Sequence, residues 1–566
     1  MTRFIATLLI LTAGLLPLTD AAGQTPTVQT GSRTAEPAPL DTAITTVDVE
    51  HAERIIGLGF DEPERELMLP DLIEMLRDFH ALRMVELPNS LPPALAFQPL
   101  PAGTELDTST WPSRWSDPGD VQRPKNLEEA AFYSVGQLGV LIRTRQVTSV
   151  ELTQMCLSRL KKYGPELECV ISLTEQLAMK QAARADAETE AGYNRGPLHG
   201  IPYGLKDLFA VKGTKTTWGA EPYKDQVINE TATVVAKLES AGAVLVAKLT
   251  SGALAWGDVW YGGTTKNPWN LEQGSSGSSA GPASAVAAGL VPFAIGTETW
   301  GSIVSPCTRC GVTGLRPTFG RVSRAGAMAL SWSMDKVGPI ARAVEDCAMV
   351  FEAIQGSDGK DQTAVDRPFG YQPNIDLGEL RIGYLESAFQ EDYPGKEMDQ
   401  AALDVLRGLG AQLVPIALPD YPIGPLAFVL SAEAAAAFDE LTRSGRDDLL
   451  VRQERRAWPN VFRASRFIPA VEYIQANRAR TLLGQKMQQL LARVDVYVTP
   501  TFGGDNLLLT NLTGHPCVVV PNGFVEENAP KSITFIGDLY DEATVLALAR
   551  AYQEATEFHL QHPPGF

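Results

Sequence analysis

Three short segments carry residue types that can act on an acyl carbon. The first is His199–Leu208, HGIPYGLKDL, where Lys206 stands in an apolar, strand-like run. Burying an ammonium is expensive. Lys206 therefore either pairs with Asp207, snorkels to solvent, or is kept neutral for chemistry. The second segment is Gln273–Gly289, QGSSGSSAGPASAVAAG, in which serine and glycine run into an alanine-rich helical stretch. A helix start offers unpaired N–H groups and the positive end of a dipole. A flexible linker is disfavoured there, because a helix and an apolar strand follow at once. Within it, Gly277–Gly281 fits G-x-S-x-G with Ser279 at its centre, the sharp turn that presents a nucleophilic serine. That turn needs a strand immediately before it, and Trp269–Gln273 (WNLEQ) reads as a poor one, so esterase chemistry at Ser279 is the alternative. The third segment is Gly296–Pro306, GTETWGSIVSP, directly after the apolar Leu290–Ile295. Here Ser302 follows a glycine at a strand end, where backbone N–H groups can face a developing oxyanion.

Other reactive residues are sparse. The six histidines are His51, His80, His199, His515, His559 and His562. None sits in a glycine- or serine-rich turn, although one would suffice for a Ser-His-Asp triad. Cys307 and Cys310 have C-x-x-C spacing, but no second pair or close histidines complete a zinc cage. A local disulfide or two buried thiols is expected, and no metal or organic cofactor.

The elements that must position these segments can be read from periodicity. Thr148-x-x-Glu151 is a capping box opening a helix whose Leu152, Met155, Cys156 and Leu160 share a face. Val170–Leu173 reads as a strand, followed by an alanine-rich helix to about Ala191. Further apolar runs, Val244–Ala247, Leu290–Ile295, Leu380–Tyr384, Val494–Val498, Cys517–Val520 and Ile533–Ile536, alternate with helical patterns. Such alternation predicts an α/β fold, a large mixed and mostly parallel sheet covered by helices on both faces.

Taken together, the three segments resemble the amidase signature family. GIPYGLKD at Gly200–Asp207 matches its lysine strand. SSAGPASAVAAG at Ser278–Gly289 is similar to its SSGGSAAAVAAG, aligned on the Val-Ala-Ala-Gly end. GTETWGSIVSP resembles its GTDxGGSIRxP, and Gly314–Arg321 (GLRPTFGR), Thr499–Thr501 and Asn511–Pro516 continue the likeness. The resemblance runs from about Asn126 to His559, is weak through Ala364–Leu490 and is absent before about residue 120. It implies Ser302 as nucleophile, Ser278 as proton relay after a cis Gly277–Ser278 peptide, and Lys206 as base. Backbone N–H groups of Thr299, Trp300, Gly301 and Ser302 would form the oxyanion hole. A serine needs a base to become nucleophilic, and lysine can be that base only if its pKa falls from about 10.4. Three positions depart from the family pattern: Glu298 for aspartate, Trp300 for glycine and Val304 for arginine. With a short link from Thr501 to Asn511, they favour a neutral, apolar or aryl amide as the small-molecule substrate. The rival within the family is a glutamine-dependent transamidase component working on charged tRNA, and the rival outside it is a non-catalytic binding protein.

Bulk properties narrow the setting. Of 566 residues, 44% are hydrophobic and 20% charged, with a formal net charge of −19. A surface this acidic repels phosphate backbones, so no nucleic-acid partner is expected. Arg3, the apolar Phe4–Leu18 and the small residues Ala21, Ala22 and Gly23 read as a signal peptide over residues 1–23, hence export to the periplasm or medium. The apolar run is shorter than the roughly 20 residues of a membrane span, so no stable span is expected, with a retained anchor as the alternative. Residues 24–124 would hold a flexible leader (Gln24–Leu40) and a helical segment over Val47–Ile56 and Glu64–Leu87. That segment ends at the proline-rich Pro88–Pro101 and is a candidate arm for a homodimer. Residues 125–566 would form the catalytic domain.

Overall fold

Successive residues of the buried strands enter two separate cores. In Phe293–Glu298, Phe293 and Ile295 pack on one face and Ala294 on the other; in Val496–Pro500, Val496 and Val498 oppose Tyr497. Strands apolar on both faces need cover on both faces. One side carries Val344–Ile354 and Glu542–Thr556, the other Ala280–Ala287, Val304–Cys310 and Ala470–Leu491. The computed structural model describes residues 43–566 apart from 86, 102, 105–108, 110 and 527. The expected signal peptide and leader lie outside the described residues.

Eleven strands make the main sheet among the described residues: β1 Val170–Leu173, β2 Pro202–Lys206, β3 Val244–Leu249, β4 Phe293–Glu298, β5 Thr313–Arg316, β6 Lys336–Ala341, β7 Arg381–Leu385, β8 Gln412–Ile416, β9 Val496–Pro500, β10 Cys517–Glu526 and β11 Ala529–Gly537. Their spatial order is β1-β3-β2-β4-β6-β5-β10-β11-β9-β7-β8. The α/β class and the mixed sheet are as expected, but mostly parallel pairing is not. Only β2–β3, β2–β4, β7–β8 and β7–β9 pair in parallel. The other six neighbouring pairs are antiparallel. A strand buried on both faces shows the same apolar run whichever way it points, so the pattern is silent on direction.

Ahead of the sheet, the helices Thr46–Ile56 and Glu62–Arg83 form where the periodicity predicts them. The first opens with a Thr45–Asp48 capping box and ends on left-handed Gly57. Arg65 of the second pairs with Glu53 of the first at 2.8 Å. No helix among the described residues is long and apolar enough to cross a membrane. All six cysteines are buried free thiols. Cys307 and Cys310, three residues apart in the helix Val304–Cys310, therefore form no disulfide.

Candidate active site

Parallel pairing of β2 with β4 brings their carboxyl ends to one edge of the sheet, the usual place for ligand binding in α/β sheets. Lys206 ends β2, and Ser302 lies in the turn between β4 and the helix Val304–Cys310. Ser278 and Ser279 immediately precede the helix Ala280–Ala287. The Ser279 N–H donates to the Ser302 carbonyl at 3.0 Å, joining the two serine turns.

Lys206 is fully buried. Its Nζ stands 2.8 Å from Ser278 Oγ, 2.8 Å from Thr297 Oγ1, 3.1 Å from Ser279 Oγ and 3.4 Å from the Thr297 carbonyl. Pairing with Asp207, the bland reading of this lysine, does not occur. Asp207 is taken by Lys248 at 2.7 Å and by the N–H and hydroxyl of Thr217. With no carboxylate of the described residues in hydrogen-bond reach, burial pushes the Lys206 pKa well below the ordinary lysine range, against the more distant charges of Asp335 and Glu298. This is how desolvation acts on a cation.

The Gly277–Ser278 peptide is cis. A Cβ on Gly277 would fall 1.8 Å from the Gly257 carbonyl oxygen, so only glycine fits before Ser278. Ser279 is bound differently. Its hydroxyl donates to the Thr297 carbonyl at 3.0 Å and accepts the Thr297 N–H at 3.2 Å, besides receiving Lys206. A hydroxyl so occupied staples two loops together and has little freedom to attack a substrate. A strand does precede it, over Asn270–Gly274, where the sequence reads poorly as one. Among the described residues that strand pairs only with Lys266–Asn267, in a two-stranded ribbon outside the main sheet. No histidine ring bonds to either serine: His199 meets Thr189 and Ala185, and His515 meets Thr513.

The turn carrying Ser302 is built to leave donors free. Among the described residues, the N–H groups of Thr299, Trp300, Gly301 and Ser302 find no backbone acceptor. Gly301 adopts φ +86°, and a Cβ there would stand 3.0 Å from Ser305 Oγ and 3.1 Å from Leu507 Cδ2. Thr299 anchors the turn through its hydroxyl, which donates to Asp335 Oδ1 at 2.6 Å. Asp335 is itself held by the N–H groups of Leu330 and Ser331. Behind the turn, Glu298 Oε2 accepts the N–H groups of Ile303 and Val304 at 2.8 and 2.9 Å. Its Oε1 accepts Arg316 and Asn511, each at 2.8 Å. Burial raises the Glu298 pKa, but the Arg316 charge and these donors outweigh it and bring the value to about 2.

Two of the three departures from the family pattern face opposite ways. Trp300 is 46% exposed two residues before Ser302, whereas Val304 is buried in the apolar core. The link from Thr501 to Asn511 holds the start of the helix Asn506–Thr513, and Leu507 of that helix lies against Gly301. A cavity of about 220 Å³ reaches the site at Thr297 and Thr299, with apolar Leu208, Ala255, Met328 and Leu330 and charged Glu230, Arg324, Lys336 and Asp361 in its lining. Thr297 and Asp335 are site residues to which sequence reading assigns no role. Thr297 lies inside the GTETWGS segment, yet a threonine at a strand end has no signature. Asp335 reaches the turn only because β6 pairs Lys336 with Glu298 across the sheet.

Residues 151–507 match the profile of the family described as Amidase. The chain is 36% identical over 467 residues to a glutamyl-tRNA(Gln) amidotransferase subunit from Roseiflexus sp. (strain RS-1), covering 74% of this chain and 95% of that one. The corresponding protein of Marinomonas sp. (strain MWYL1) is 34% identical, covering 76% and 98%. In three dimensions the chain is similar to the native peptide amidase from Stenotrophomonas maltophilia, with TM-score 0.69 and 30% identity over 78% of this chain and 99% of that one. On its motifs, its profile and these relatives, the chain belongs to the amidase signature family.

Proposed function

We propose that the protein hydrolyses carboxylic amides through an acyl-enzyme on Ser302. The carrying observation is Lys206 Nζ, buried and without a carboxylate partner, 2.8 Å from Ser278 Oγ. As a neutral amine, Lys206 accepts the Ser278 proton while Ser278 accepts that of Ser302. Ser302 Oγ then attacks the amide carbon. The N–H groups of Thr299, Trp300, Gly301 and Ser302 receive the charge that develops on oxygen, a contribution worth about 3–4 kcal/mol per donor where one has been removed in other serine enzymes. The proton returns through Ser278 to the departing amine, and water repeats the sequence on the acyl-enzyme. A fluorophosphonate probe should label Ser302, and Ser302→Ala should abolish both label and turnover. Absence of label on the wild-type chain would favour the reading of a non-catalytic binding protein.

For the substrate, a neutral apolar or aryl amide is supported by half-exposed Trp300 and by Leu208, Ala255, Met328 and Leu330 on the apolar part of the cavity lining. The sequence argument from Val304 gives no help, since that side chain packs in the core. A second reading, release of ammonia from glutamine within a complex, draws on the 36% identity to a component of an amidotransferase. Comparing kcat/KM for acyl anilides with that for glutamine separates the two, and preference for glutamine would overturn the first. Export to the periplasm or medium is part of the proposal and rests on the sequence of residues 1–23.

A further inference from the structure

The proline-rich stretch after the two N-terminal helices precedes the family match, which begins at residue 151. It belongs nevertheless to the same compact unit, residues 41–566, as the sheet. Its contacts are specific. Asn89 Oδ1 accepts the Ala329 N–H at 2.7 Å, and Asn89 Nδ2 donates to the Ala329 carbonyl at 2.8 Å. One side-chain amide thus satisfies both polar groups of one residue, as a neighbouring strand would. Four residues on, the Pro93 carbonyl accepts Gln362 Nε2 at 3.2 Å. Between these anchors Ser90 and Pro92 line the cavity that ends at Thr297 and Thr299, and Ala329 lines it too. Further along, Phe97 lies edge-on to Phe319 and 3.6 Å from the Arg480 guanidinium. Arg480 in turn holds the hydroxyl and carbonyl of Ser333, each at 2.8 Å, two residues before Asp335.

We infer that residues 89–93 form one wall of the substrate cavity and set the size of the amide it admits. Asn89 is the positioning residue, and Ser90 and Pro92 are the specificity-determining surface. An apolar cavity of about 150 Å³ accepts one benzene ring. At about 220 Å³, and lined by the charged Glu230, Arg324, Lys336 and Asp361 as well as by apolar side chains, this one has room for an aryl group. The inference rests on the amidase reading, since it takes the cavity as the route to Ser302.

The test uses two fluorophosphonates with the same leaving group, one carrying isopropyl and one biphenyl, on the full chain. The quantity read is the ratio of their second-order rates of labelling Ser302. Asn89→Ala, which frees the wall, should raise the biphenyl-to-isopropyl ratio about tenfold. Ser90→Phe, which thickens the wall at an exposed position, should lower it about tenfold. For anilides of matching size the same shifts should fall in KM rather than kcat, which general loosening of the fold would not produce. Labelling with unchanged ratios in both variants overturns the wall alone, and so does a change of the same sign in both. No labelling of the wild-type chain by either probe overturns the amidase reading and the wall with it.

Discussion

Lys206 can serve as a base only where it is neutral, and its nearest partners are hydroxyls and a carbonyl. Because burial lowers its pKa, the neutral fraction grows at lower pH than for an exposed lysine. Turnover should rise with pH through that pKa, giving an acid limb in kcat/KM. Lys206→Arg should be inactive at every pH, because a guanidinium does not give up its proton. A pH profile that survives in this variant would point to another base. The three serines separate just as clearly. Ser279→Ala should keep the fluorophosphonate label that Ser302→Ala loses. It should also lower stability by about 1–3 kcal/mol, since the buried Thr297 N–H loses its acceptor, read from denaturant melts. As candidates, Lys206, Ser278 and Ser302 stand out in the sequence through the family likeness, each in a run of distinctive residues. Thr297 and Asp335 do not, because their roles arise from contacts across strands rather than from neighbours in the chain.

At the scale of the element, the turn from Thr299 to Ser302 hangs between Asp335 in front and Glu298 behind. Glu298 gathers two N–H groups, a guanidinium and an amide on one carboxylate. Its folded pKa of about 2 lies below the ordinary glutamate value, so it stabilises the fold above that ordinary value and the stabilisation is lost as pH falls through about 2. A difference of this size corresponds to about 3 kcal/mol. Glu298→Gln should lower stability at pH 7 by about 3–5 kcal/mol, because Arg316 is left as an unpaired buried charge. Its acid-unfolding curve should be flatter between pH 5 and 2 than that of the wild type, and a curve of unchanged slope would count against Glu298 as the strut. Turnover should drop as well, through a loosened turn. The likeness to GTDxGGSIRxP locates the turn, but nothing in it tells which side chains support the turn. Strand direction is hidden too. β10 lies antiparallel between β5 and β11, yet its apolar run Cys517–Val520 reads the same in either direction.

Over the whole molecule, sheet, helices and site lie within residues whose patterns are regular, and the fold class is legible there. The N-terminal stretch reads only as a proline-rich separator, because Asn89 and Phe97 acquire meaning through Ala329 and Arg480, more than 200 residues away in the chain. If residues 1–23 act as a signal peptide, mass spectrometry of the exported protein should find its first residue at 22–24. An intact Met1 on functional protein in the cytoplasm would refute export. The six buried thiols carry a practical consequence. Burial pushes those of Cys156, Cys169 and Cys517 up to about 12 and raises the other three as well, and the thiolate is the form that reacts with alkylating agents. Folded protein should therefore stay silent to iodoacetamide, while an unfolded chain takes up six labels at once. Counting labels by intact mass would turn the cysteines into a clock for opening of the native state, and the enzyme could be made in a reducing cytosol without losing a covalent bond.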